Sequence, residues 1–489
     1  MLLCGIIDEL KNSTPPRLLS FFFCQATDDR INSATAVLRG LIYLLIKQQL
    51  SLTSHLRKEY DQAGKSLFED VNSWFALSEI FTNILQDPNL NSTYLIVDAL
   101  DECVTDLPKL LDFIAQNLSI SSRVKWVVSS RNWPDIEERL ERAGHKVRLC
   151  LELNAESVST AVSIYIRHKV LKLAQRKKYN NKTRDAVQKH LSLNANNTFL
   201  WVALACQNLE KIPRWNIPKR LNEFPPGLDS LYERMIRQIY SSDDADLCKQ
   251  ILASIAIVYR PITLKELTSL IAMLEDRADD LESLREIVNL CGSFLTIRQD
   301  TIYFVHQSAK DFLFTKASNE IFPSGTEKAH YIAFSRSLQV MSKALRRDMY
   351  RLDTLGYPAE QIEQPDPDPL AASRYSCVYW VDHLHDTNIA NYSIYTMLLK
   401  FFFFWLTILG LSGGTSEIAF LNKYSGFQDD LCDDGIVHTF LREKYLYWLE
   451  ALSLCRTISK GVVSIAKLEA LLQVILRPAF TRCVQYTLT

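Results

Sequence analysis

Short apolar runs alternate with helical-period segments over the first third of the chain. Leu18–Cys24 (LLSFFFC), Tyr94–Val97 and Val124–Ser129 are near-continuous apolar runs of strand length, the pattern of parallel strands covered on both faces. Between them, apolar residues recur at helical spacing over Leu2–Leu10, Ser33–Leu50, Trp74–Leu85, Leu107–Leu118 and Ile136–Ala143, and Val147–Leu153 predicts a fourth strand. This rhythm predicts a parallel sheet wrapped by helices.

From Ser157 the pattern turns helical. Val158–Ala174, Thr183–Leu191 and Phe199–Leu209 predict helices, and Pro213, Pro218 and Pro225-Pro226 punctuate the stretch that follows. Leu228–Tyr240, Asp244–Tyr259 and Leu264–Leu274 predict three more helices, Ile287–Cys291 a helix end, and Phe294–Arg298 with Thr301–His306 a two-stranded hairpin. Helices followed by a hairpin are the composition of a winged helix. Glu327–Tyr350 predicts a helix, Pro358–Pro369 a linker rich in proline and acid, and the remainder from Tyr375 is helical and aromatic. The fold class is therefore α/β followed by all-α.

Composition sharpens this picture at three points. Only 14 of 489 residues are glycine, which predicts few turns of positive φ and disfavours a many-turned all-β fold. The net charge of −1 asks for neither a nucleic-acid nor a membrane partner. Eleven cysteines at irregular spacing, without a CxxC pair, predict reduced thiols rather than a disulfide or zinc framework. The start, Met1-Leu-Leu-Cys-Gly-Ile-Ile, has no cationic region and meets Asp8 and Glu9 at once, so the expectation is a cytoplasmic chain with no secretory signal.

The sharpest chemical signal is Tyr94-Leu-Ile-Val-Asp98-Ala-Leu-Asp101-Glu102. A buried strand ending in a carboxylate puts that carboxylate at the edge where open α/β sheets bind ligands. Asp98 there can hold Mg²⁺ through water, and Asp101 or Glu102 can orient a water against a phosphate. The next predicted strand ends in Ser129-Ser130-Arg131, whose guanidinium either senses a terminal phosphate or pairs with Asp101 or Glu102.

Taken together, LIVDALDEC, SSRNWPDIEERL, NNTFLWVALACQNLE, FPPGLDSLYERM and FVHQSAKDFLF resemble the fungal NACHT class of signal-transduction ATPases (the STAND group of P-loop NTPases), related to vegetative-incompatibility proteins. The resemblance covers residues 1 to 320 in order. It implies a partial P-loop NTPase parallel sheet over 1–153, a helical lid over 154–224 and a winged-helix domain over 225–322. A helix and linker over 323–374 and a helical extension over 375–489 follow. It also implies a switch using ATP, ADP and Mg²⁺, in which Asp98 matches the Mg²⁺-coordinating Walker B acid. Asp101 and Glu102 match the extended acidic pair, Arg131 the sensor arginine, and His306 the winged-helix histidine that touches the nucleotide's β-phosphate. Read without the resemblance, His306 is a core histidine at a strand end.

Two departures qualify the resemblance. The loop G-x-x-x-x-G-K-[ST] does not occur, and the segment that should follow it begins at Met1, so the expectation is a chain truncated before the end of that loop, with weak or absent ATP binding and turnover. The GTFLW-type position reads Asn197-Thr-Phe-Leu-Trp. Lys400–Leu411 (KFFFFWLTILGL) falls short of the roughly 20 residues that span a bilayer as a helix. A buried helix, a membrane-surface segment and a gene-model insert over 398–428 stay open as its readings. The helix Leu264–Leu274 carries one Lys, poor equipment for reading DNA. The alternative to a switch is a non-catalytic helical scaffold that binds a partner, a homo-oligomer or a full-length relative.

Overall fold

The computed structural model describes residues 2–12, 17–64, 66–69, 73–118, 120–131, 133–141, 155–352, 357, 362–387 and 436–471. They fall into two compact units, Met1–Ser159 and Thr160–Thr489. The fourth predicted strand, Val147–Leu153, and the segments 398–428 and 400–411 lie outside the described residues.

In the first unit, β1 (Leu18–Phe23), β2 (Thr93–Asp98) and β3 (Val124–Val128) form a parallel sheet in the order β1-β2-β3. Phe23 is in register with Asp98, and Val97 with Val128, so the three strands end together. The continuous apolar runs have a simple cause: both faces are covered. Leu95 and Val97 join the core under the helices Ala34–Gln48, Ser73–Gln86 and Leu107–Asn117. Ile96 and Tyr94, pointing the other way, pack with Leu3 and Ile7 of the helix Leu2–Lys11. The Gln48 amide completes β1, accepting from Leu19 N–H at 3.1 Å and donating to Leu19 C=O at 2.9 Å, where a further strand would bond. Gly40 lets its helix approach β1 closely, because a Cβ there would collide with the Phe22 ring. Composition and pattern did not announce the helical stretch Thr53–Ala63, which lacks the dense apolar stripe of its neighbours.

The second unit is helical apart from one small sheet. Helices Asn181–Asn194 and Phe199–Lys211 lead to Leu228–Tyr240, Ala245–Ile257, Leu264–Leu270 and Leu281–Leu290. The predicted hairpin gains a third strand: β4 (Ile262–Thr263), β5 (Leu295–Arg298) and β6 (Thr301–Phe304) pair in the order β4-β6-β5. The predicted helix Leu264–Leu274 stops at Leu270 and tightens into a 3₁₀ stretch, Ala272–Arg277. Only Lys265 of its seven α-helical residues reaches solvent in part, so this helix packs rather than presenting a face. Thr326–Ala344 ends six residues short of the predicted Tyr350, and Arg374–Asp386, Ile436–Leu454 and 458–471 complete the described helices.

Glycine scarcity proved a poor guide to backbone sign. Ten non-glycine residues of the described chain have positive φ, including Asp106, Asn196, Asn197, Asp300 and Asp348. Asn and Asp tolerate that region because their short polar side chains bond locally. All eight described cysteines are free thiols. Among the described residues, no helix is long and apolar enough to cross a membrane, and no group of three or more His, Cys, Asp or Glu side chains forms a metal-binding cluster.

Candidate functional site

Asp98 ends β2 half-buried, between the ends of β1 and β3. Its Oδ1 accepts a short hydrogen bond from Ser129 Oγ, and Ser129 Oγ in turn accepts from Ala99 N–H at 3.0 Å. Ser129 thereby fixes one carboxylate oxygen and ties the turn after β2 to the end of β3. Leu100 N–H donates to Ser129 C=O at 2.9 Å and closes the same link through the backbone.

The acidic turn is strained at its first residue. Ala99 sits at φ 57°, ψ 56°, and Leu100–Glu102 form a single 3₁₀ turn with Leu100 fully buried. A left-handed alanine costs about 1–2 kcal/mol, and such strain gathers at functional sites.

Asp101 and Arg131 come together. Asp101 Oδ1 accepts from Arg131 N–H at 2.9 Å and Ser130 Oγ at 3.4 Å, while Oδ2 lies 3.2 Å from Arg131 Nε. The carboxylate side chain is 5% exposed and the guanidinium side chain 42%, so the acid is the structural member of the pair and the cation faces solvent. Glu102 turns the other way, its Oε2 accepting from Ala26 N–H at 3.1 Å. It thus binds the loop after β1 to the acidic turn, beside Cys24 N–H donating to Asp98 C=O at 3.1 Å.

Three contacts of this edge are not legible in the sequence. The pattern shows Ser129 only as one of two hydroxyls after β3, and not its bond to Asp98. Arg30 closes bidentate on the buried Asp28 carboxylate, at 2.8 and 2.6 Å, within the loop after β1; the polar insert TDDR between strand and helix marks the loop but not the pair. The Cys24 thiol is pushed far up, first by its hydrogen bond to Cys103, then by burial and by the Glu102 and Asp98 carboxylates. A thiol so held is a weak nucleophile.

His306 belongs to the second unit. It is not in the core: β6 ends at Phe304, and exposed His306 caps the helix Gln307–Thr315. Its Nδ1 accepts from Ser308 N–H at 3.1 Å and lies 2.9 Å from Ser308 Oγ, which also meets Tyr232 OH at 3.0 Å. The first unit therefore gathers Asp98, Asp101, Glu102 and Arg131 at one sheet edge, with His306 at a helix start in the other.

This edge suits a hydrated cation. A half-buried carboxylate held by a hydroxyl at the carboxyl end of a parallel strand is a hard oxygen donor of the kind Mg²⁺ accepts. The glycine-rich motif G-x-x-x-x-G-K-[ST], whose backbone cradles phosphate, does not occur in the sequence.

A parallel sheet carrying an acidic edge, followed by helices and a winged helix, defines a class of modular protein, and comparison narrows it. Residues 1–131 match the family model "Nephrocystin 3, N-terminal", and residues 232–323 match "GPI inositol-deacylase, winged helix domain". The chain is 55% identical over 486 residues to "Vegetative incompatibility protein HET-E-1" of Podospora anserina, which covers 96% of this chain. Over nearly its whole length the chain is similar to that incompatibility protein, and its two matched modules fit the NACHT type. It spans 34% of the length of that relative. No solved structure matches it.

Proposed function

We propose that this chain is part of a nucleotide-dependent signalling switch of the NACHT type, acting in heterokaryon incompatibility within the cytoplasm. The observation that carries the reading is the meeting of Asp98, Asp101, Glu102 and Arg131 at one sheet edge in a chain 55% identical to an incompatibility protein.

In this reading residues 1–153 form the nucleotide-binding core, 154–224 the lid and 225–322 the winged helix. Asp98 holds the waters of Mg²⁺, with Ser129 fixing its free rotation. Bound Mg²⁺-ATP or ADP supplies the charge that the switch senses. Arg131, anchored through Asp101 with its guanidinium half in solvent, is positioned to meet phosphate oxygens; Glu102 holds the loop after β1 in place.

Absence of G-x-x-x-x-G-K-[ST] from the 489 residues supports a second reading. Here the chain is a scaffold that binds a longer relative or a second copy without turning over ATP. Expressing it in a fungus that carries such a relative separates the two. The switch reading expects the wild-type chain to alter the incompatibility reaction and Asp98→Asn to lose that effect. Equal effects of both chains favour the scaffold. No effect of either chain, with both present at equal abundance, rejects the signalling role.

A further inference from the structure

Three segments of the second unit meet around the buried Tyr375 and His383, in a cluster that the nucleotide reading does not use. Tyr259 follows the helix Ala245–Ile257, His330 lies on Thr326–Ala344, and Tyr375, His383 and Asp386 lie on Arg374–Asp386. Tyr375 and His383 are both 0% exposed. His330 Nδ1 is 2.9 Å from His383 Nδ1, and His383 Nε2 is 2.8 Å from Tyr375 OH. Tyr375 OH also accepts Tyr259 N–H at 3.3 Å, and Tyr259 OH donates to Asp386 Oδ2 at 2.7 Å. The Tyr259 ring centroid lies 5.0 Å from that of His383.

The proton positions follow from counting donors. Tyr375 OH accepts from Tyr259 N–H, so its own hydrogen goes to His383 Nε2. His383 then carries its proton on Nδ1 and donates to His330 Nδ1. Tyr375 OH, both His383 nitrogens and His330 Nδ1 are then satisfied while both imidazoles are neutral. An added proton has no such home: on His330 Nδ1 it faces His383 N–H, and on His383 Nε2 it faces the Tyr375 hydrogen. Shifting the chain instead orphans the Tyr375 hydrogen. A buried donor left without an acceptor is costly.

The surrounding charges divide. Asp386 and Glu327 favour a proton on His330, and Lys310 from the helix Gln307–Thr315 opposes it. Beyond them, Arg260 lies over the Tyr375 and Tyr379 rings and pairs with Glu266, while Lys460 reaches Tyr379 OH and Lys467 reaches Asp382. Burial outweighs the two carboxylates. It holds His330 below the usual histidine range, and His383, with His330 adding to the effect, well below it.

We propose that the His330–His383 pair is a pH-sensitive latch that fastens the helix Arg374–Asp386 to Thr326–Ala344 and to the segment at Tyr259, closed while both rings are neutral. The undocked state binds protons at an ordinary histidine pKa of about 6.5. The latch is therefore at full strength above that pH and weakens as pH falls through it, the opening equilibrium rising by at most about tenfold per ring for each unit below.

Hydrogen exchange of the full chain at pH 7.5 and 5.5, corrected for intrinsic rates, tests this. Protection over 374–386 should fall tenfold or more at the lower pH, while strands β1–β3 keep theirs. His330→Asn, whose amide oxygen can accept from His383 but takes up no proton, should shrink that fall to one ring's share. Equal protection at both pH values, or an undiminished fall in the variant, overturns the latch. Should the variant fail to fold, imidazole NMR of the labelled wild-type chain decides: His383 stays neutral until the helix opens, and a simple titration near pH 6.5 with the helix intact overturns the proposal.

Discussion

Ala99 and Asn197 occupy the same backbone region for different reasons. Both have φ of 57°, yet Asn supplies a short polar side chain suited to it and Ala supplies nothing. Asn197 stands where the resemblance leads one to look for glycine, and its dihedral explains why the exchange is tolerated. Glycine substitution at the two sites should therefore differ. Ala99→Gly is expected to stabilise the chain by up to about 1 kcal/mol, relief of left-handed strain outweighing the flexibility gained by the unfolded chain. Asn197→Gly should change stability by less than that. Urea midpoints of the two variants give the answer, and a clear loss in Ala99→Gly would mean the turn is not strained. At this same scale, the roles of Asp101 and Arg131 separate by exposure: the acid side chain is 5% exposed and the cation side chain 42%.

Elements are joined here by side chains that serve two purposes. Glu266 caps its own helix, accepting from Thr263 N–H at 2.9 Å, and pairs bidentate with Arg260 at 2.6 and 3.0 Å. Its side chain is 2% exposed and that of Arg260 17%. Removing one partner of such a pair strands a buried charge, so Glu266→Ala should cost about 3–5 kcal/mol in denaturant unfolding; a cost below about 1 kcal/mol would show the pair to be solvated. The capping box stands in the sequence as Thr263-Leu-Lys-Glu266, but the pairing of Glu266 with Arg260 is no part of that motif and is not legible there. The same limit explains the rest of the sheet edge. Strand ends and their acids are legible because burial on both faces leaves an unbroken apolar run. Gln48 completing β1, or Glu102 reaching back to Ala26, depends on long-range contacts that no periodicity encodes. The hairpin's third strand was missed because two residues, Ile262 and Thr263, carry no period at all.

For the whole molecule, the succession of strands and helices was legible and the contacts of the polar side chains only in part. The sheet, the helices after it and the winged helix follow the predicted succession; Asp98 ends β2, while β3 stops at Val128 and Arg131 follows in the turn beyond it. Legibility failed where one residue type served two environments. His306 and His383 look alike in sequence, yet one caps an exposed helix start and the other is fully buried between two helices and Tyr259. The functional account rests on the sheet edge. If Asp98 is its Mg²⁺-facing acid, these 489 residues hold one side of a nucleotide site without the amide cradle that supplies most phosphate recognition. Calorimetric titration of the chain with Mg²⁺-ADP and Mg²⁺-ATP, repeated on Asp98→Asn, is the direct measurement. The account predicts dissociation constants no tighter than about 1 mM, near −4 kcal/mol, with the residual heat lost in the variant. Micromolar binding, or weak binding that Asp98→Asn leaves untouched, would contradict it.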